Sequence, residues 1–177
     1  MTEIHSFAEI DASLRSIDTG EPATAKRRLF ASAARFQNRA VKPREWLVEG
    51  FIPNGTVTLL GGDGGSGKSL LAMMLAIATA STKDVRWLGR LPVQGPAIYC
   101  GAEDDIDEMH RRMADITDAN FIQFTDLERL HVCSLAGQDA LLAVENPKTK
   151  VLAATPLFAE IRDKIEAERP SLVVFDT

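Results

Sequence analysis

Apolar residues along this chain change period several times, and each change marks an element. Phe7, Ile10, Leu14 and Ile17 recur at helical spacing, which predicts a helix over Phe7 to Ile17. Asp18-Thr19-Gly20-Glu21-Pro22 breaks it, and Leu29, Ala33 and Phe36 then predict a second helix over Ala23 to Arg39. Trp46 to Pro53 is a short apolar segment that ends in the turn signal Pro53-Asn54-Gly55. Thr56 to Leu60 is β-branched and apolar, bounded by glycines, and predicts a buried strand. Lys68 to Thr79 predicts a helix with a nearly continuous apolar surface, suited to burial against a sheet.

Trp87 to Gly95 reads as a connection, Ala97 to Cys100 as a strand, and Asp104 to Ile116 as a helix whose acidic first turn suits its dipole. Leu130 to Ser134 predicts another strand. Leu141 to Leu152 predicts a hairpin whose polar tip is Asn146-Pro147-Lys148-Thr149. Leu157, Phe158, Ile161 and Ile165 predict a helix over Thr155 to Glu168, with Thr155 as its N-cap and Pro156 at the first helical position. Leu172 to Phe175 predicts a last buried strand that ends at Asp176. Strands alternating with helices predict an α/β fold built on a parallel sheet.

Composition changes this picture little. A chain of 177 residues suits one domain with a real core. A net charge of −5 gives no global reason to expect nucleic-acid binding, so such contact would need a local basic patch. One stretch qualifies: Lys26, Arg27, Arg28, Arg35, Arg39, Lys42 and Arg44 lie close together, with few acids beside them. This sets residues 1–45 apart as a helical or flexible basic arm from a nucleotide-binding domain over residues 46–177. The arm reads either as a solvated helix or as a segment that docks on a neighbouring subunit or on nucleic acid. Two cysteines, Cys100 and Cys133, do not make a disulfide scaffold and fit a reducing cytoplasm. The N-terminus lacks a signal-peptide layout, and Leu70 to Ala80 is too short to span a bilayer.

The chemistry concentrates at Gly62-Asp63-Gly64-Gly65-Ser66-Gly67-Lys68-Ser69, which matches the phosphate-loop pattern G-x-x-x-x-G-K-[ST] at every fixed position. Backbone N–H groups can surround clustered phosphate oxygens only where the chain curls tightly, and glycine permits that curl. The following helix would point its N-terminus at the phosphates. The candidate nucleotide-binding residues are therefore Gly62, Asp63, Gly64, Gly65, Ser66, Gly67, Lys68, Ser69 and Leu70. Lys68 would reach the β- and γ-phosphates, and the Ser69 hydroxyl would ligate Mg²⁺.

Two carboxylates complete the set. Asp176, at the end of an apolar run, fits the metal-associated Walker B position. Glu103 follows a strand by a Gly-Ala step and would project from the carboxyl end of the sheet, where ligands bind in such folds. It could orient or deprotonate an attacking water, which makes Glu103, with Lys68, a candidate catalytic residue. Alternatively, Glu103, Asp104 and Asp105 merely complement a helix dipole; of these, Asp104 is the better cap. Cys100 reads as core, His110 as surface, and Trp46 and Trp87 as packing residues. With three histidines and two scattered cysteines, no zinc spacing exists.

Together these residues resemble the RecA-like ATPases, in particular the RepA-type branch of hexameric replicative helicases related to DnaB. The resemblance runs from about Pro43 to Thr177. It rests on Trp46-Leu47-Val48-Glu49-Gly50 leading to the loop, on Tyr99-Cys100-Gly101-Ala102-Glu103-Asp104, on Arg111-Arg112, and on Thr155-Pro156-Leu157-Phe158 leading to Asp176. It implies Mg²⁺, Glu103 as catalytic base, a hexameric ring and movement on single-stranded DNA; ATP is the expected nucleotide, while the fixed motif by itself leaves ATP and GTP open. It also implies further strands beyond the Walker B aspartate, one of them lying between the loop's strand and the Walker B strand. Here the sequence stops at Thr177. An N-terminal fragment with weak or no activity alone, and a gap in its sheet, is therefore expected. Two other readings stay open: a P-loop small-molecule kinase, for which no convincing acceptor lid is seen, and a non-hydrolysing nucleotide-gated module.

Overall fold

The computed structural model describes residues 30–148 and 150–177. The helix expected over Phe7 to Ile17 lies outside them. Two units separate. One comprises Met1–Lys42 with Glu145–Leu152, the other Pro43–Val144 with Ala153–Thr177. In the first unit, the helix expected through Arg39 does not extend over the described part. Only a 3-10 turn forms at Ala33–Phe36, with no buried residue. The amphipathic spacing has no described surface to pack against, and a short helix gains little without one.

The second unit carries the sheet. Its first two strands, β1 (Trp46–Val48) and β2 (Ile52–Pro53), form a small antiparallel hairpin. The main sheet is β3 (Ala97–Gly101) flanked by β4 (Leu130–Ser134) and β7 (Leu172–Asp176), both parallel to it, in the order β4-β3-β7. Strands β5 (Ala143–Glu145) and β6 (Leu152–Ala154) pair as the expected hairpin. The helices are α1 (Lys68–Ala80), α2 (Ile106–Ala119) and α3 (Pro156–Glu168). The Thr155 side chain caps α3 by accepting the Phe158 N–H, and Pro156 opens it.

Alternation along the strands sorts the side chains into two cores. Ala97, Tyr99, Leu130, Val132, Leu172 and Val174 face α1 and α2, where Met73, Ile77, Met109 and Met113 are buried. Ile98, Cys100, Cys133 and Val173 face α3 through Leu157, Ile161 and Ile165. The period of two thus places apolar groups on both faces, as a parallel sheet covered on both sides requires. The crossover from β3 to β4 uses α2, and the return from β4 past β3 to β7 uses α3 on the opposite face. A single handedness of crossover demands this arrangement.

One expected strand is missing. Thr56 to Leu60 belongs to no ladder, and Val57 and Leu59 are 102% and 92% exposed. A strand needs a neighbouring edge as well as β-propensity. Among the described residues nothing pairs with this segment, and nothing pairs with the outer edge of β7.

Candidate nucleotide site

The glycine-rich loop ends in α1, and its backbone explains its composition. Gly65 and Gly67 hold φ values of 73° and 84°, in the left-handed region that side chains disfavour. Gly67 is the residue before the helix, and no side chain caps the end. The helical ladder starts with the Leu71 N–H donating to the Gly67 carbonyl at 2.9 Å. The N–H groups of Lys68, Ser69 and Leu70 therefore lie ahead of the first rung, at the positive end of the helix. Such an end suits an anion.

Inside the loop the Asp63 carbonyl is a hub. It accepts from Lys68 Nζ at 2.8 Å, Ser66 Oγ at 2.7 Å and the Ser66 N–H at 3.3 Å. These solvent-exposed bonds fold the ammonium of Lys68 back onto the loop that precedes the uncapped helix end. Gly62 stands close enough that a Cβ there would lie 3.1 Å from Ser66 Oγ.

The opposite end of α1 is also fixed. Arg129 donates to the Ala80 carbonyl at 3.3 Å and the Ser81 carbonyl at 3.0 Å, setting a cation on the negative end of the dipole. Trp87 donates its indole N–H to the Leu71 carbonyl at 2.9 Å and is buried, so it packs, as expected.

The carboxyl edge of the sheet brings the other candidates together. Ser134, Gly101 and Asp176 lie level across β4, β3 and β7. The Ala102 N–H donates to the Asp176 carbonyl at 2.9 Å. Tyr99 donates its hydroxyl to Asp176 Oδ2 at 2.6 Å, and the Tyr99 phenol oxygen lies 3.5 Å from the main-chain carbonyl of Ser69. Asp176 and Ser69, proposed from sequence as the metal pair, thus flank one phenol oxygen. Burial, and then the hydrogen bond and charge of Asp176, push the Tyr99 hydroxyl pKa well above its ordinary value, so it stays a donor. Sequence reasoning assigned Tyr99 no role. Its signal was available: it is the chain's single tyrosine, set on a buried strand two residues before that strand ends.

Glu103 follows Gly101 by two residues and is exposed, with no hydrogen bond or ion pair to another described residue. Its neighbours are committed elsewhere. Asp105, rather than Asp104, caps α2 by accepting the Glu108 N–H at 2.7 Å, so the helix starts at Ile106. Asp104 instead pairs with Arg112, while its carbonyl accepts from Ser134 Oγ at 2.8 Å. The ion pair with Arg112 outcompetes the cap, because it satisfies a half-buried carboxylate with a full charge. Arg112 bridges Asp104 and Glu108, whereas Arg111, more exposed, pairs with Glu108 alone. His110 is exposed and meets Phe124 edge-on.

The donor set can be tested against Mg²⁺. Among the described residues no group of three or more His, Cys, Asp or Glu could hold a metal. Mg²⁺ favours one or two protein oxygens completed by phosphate and water, so a hydroxyl and a lone carboxylate beside a phosphate loop fit it. No helix among the described residues is long and apolar enough to cross a membrane.

A comparison with known families agrees with this geometry. The family model AAA_25, described as an AAA domain, matches residues 21–177. With its three-stranded parallel sheet, its loop and this match over most of its length, the chain belongs to the AAA domain family of P-loop ATPases.

Proposed function

We propose that this chain binds ATP with Mg²⁺ at Gly62–Ser69 and hydrolyses it as part of a RecA-like motor of the RepA/DnaB type that works on single-stranded DNA as a homo-hexamer. The observation that supports the site most strongly is the meeting of Asp176 and Ser69 at the Tyr99 hydroxyl, beside a helix start whose N–H groups have no side-chain cap. In this reading the loop N–H groups and Lys68 hold the phosphates, and Ser69 and Asp176 hold the metal. Bound Mg²⁺ would supply charge neutralisation on the phosphate oxygens. Glu103 would take the proton of the attacking water, since it is the carboxylate at this edge left without a partner among the described residues.

Two features favour a weak rather than a fast enzyme in this form. The segment that leads into the loop has no ladder holding it. No arginine among the described residues contacts the loop by hydrogen bond or ion pair. The DNA part of the proposal rests on the resemblance and on the exposed Arg35, Arg39, Lys42 and Arg44.

The test is Glu103→Gln, with nucleotide binding and phosphate release measured together. Binding should be retained while hydrolysis falls by roughly 10²- to 10⁴-fold. Unchanged hydrolysis would remove Glu103 from the mechanism, and turnover of a metabolite in place of water would favour a kinase.

A further inference from the structure

We infer that Tyr99 is a positioning residue for the metal side of this site, holding the Asp176 carboxylate at a set distance from the Ser69 turn of α1. The inference rests on the ATPase reading above and deepens it. A phenol has one proton, and both of its neighbours here are acceptors, a carboxylate oxygen at 2.6 Å and a backbone carbonyl at 3.5 Å. The proton goes to the closer, charged acceptor, and the longer separation is a packing contact.

Three features make this bond a strut rather than an incidental contact. First, Tyr99 is 1% exposed, so the surrounding core fixes the ring and with it the place of its hydroxyl. Second, the main chain of Asp176 is held independently by the Ala102 N–H and by the pairing of β7 with β3, so the tyrosine bond governs the side-chain torsion. With Oδ2 engaged, Oδ1 is the oxygen left to face a cation or its water. Third, the ring of Tyr99 lies in the core that receives α1, and its oxygen touches the turn carrying the Ser69 hydroxyl. One side chain therefore bonds the carboxylate of the donor pair and packs against the turn that carries the hydroxyl. Tyr99 also belongs to the strand that leads, through Gly101 and Ala102, to Glu103.

Because Tyr99 is the only tyrosine in the chain, it can be tested by spectroscopy as well as by substitution. In a titration of Mn²⁺ followed by electron paramagnetic resonance with a non-hydrolysable ATP analogue, Tyr99→Phe should weaken metal binding roughly tenfold. Binding of the same analogue in EDTA should stay within about twofold, because the loop is untouched. In an Asp176→Asn background, Tyr99→Phe should cause no further loss of Mn²⁺ affinity, since its effect runs through that carboxylate. In protein labelled with 3-fluorotyrosine, the single fluorine resonance should shift on adding Mg²⁺ with the analogue, and should not shift in Asp176→Asn. Unchanged or tighter Mn²⁺ binding in Tyr99→Phe, an equal loss in EDTA, or a fluorine resonance blind to Mg²⁺ would each overturn the positioning role alone. No nucleotide-dependent Mn²⁺ binding by the unaltered chain would instead contradict the ATPase reading itself.

Discussion

Thr56 to Leu60 and Leu172 to Asp176 are near twins in sequence and opposites in structure. Both are five-residue segments beside the candidate nucleotide site, β-branched and apolar throughout except for Asp176, which ends the second. The second is β7, paired along its whole length with β3, with Leu172 and Val174 packed toward α1. The first pairs with nothing described and leaves Val57 and Leu59 in solvent. The difference lies in what stands beside each run rather than in its residues. Strand propensity reports fitness for a pleated surface, while the ladder depends on an available edge. The loop that follows the unpaired run is consequently anchored from one side, by α1 and Arg129.

Val174→Asp puts an unpaired charge against the core and should destabilise the domain by about 3 kcal/mol or more, read as a lost or strongly lowered thermal transition. Retention of the transition would mean that β7 is not integral to the fold. Arg129→Ala removes the cation from the C-terminal carbonyls of α1 and should cost about 1–2 kcal/mol, a drop of several degrees in Tm. Leu59→Asp should change stability by no more than about 0.5 kcal/mol, as for other exposed positions. A large loss at Leu59 would show that Thr56 to Leu60 is a buried strand in solution, making the twins alike after all.

A smaller effect concerns the opposite face of the sheet. Burial first, and then the neighbouring Cys133, push the Cys100 thiol up to about 12. A raised pKa keeps the thiol protonated and poorly nucleophilic at neutral pH. Cys100 should therefore resist iodoacetamide in the native protein and react on unfolding, which peptide mass spectrometry can follow. Rapid native labelling would contradict its place in the core.

Much of this arrangement was legible in the chain. The elements from Lys68 to Gly101 and from Leu130 to Asp176 follow from periodicity, from Thr155 and Pro156 at a helix start, and from apolar runs short enough for strands. The phosphate loop was legible because its glycines are demanded by backbone geometry, which any sequence must satisfy locally. What was not legible depends on contacts far apart in sequence. The failure of Thr56 to Leu60 to pair, the capture of Asp104 by Arg112 that left the cap to Asp105, and the bridge from Tyr99 to Asp176 all involve partners that periodicity does not specify. The arm shows the same limit, since the spacing of Leu29, Ala33 and Phe36 names a face without naming anything to cover it.

Gly62–Ser69 is expected to cradle phosphate, with Lys68 held over it by the Asp63 carbonyl. The most direct test is calorimetric or fluorescence titration of Mg²⁺–ATP into the chain and into Lys68→Ala. Measurable binding is expected for the former and a loss of roughly tenfold or more in the latter, with the thermal transition unchanged. Equal affinity in the two proteins would contradict it.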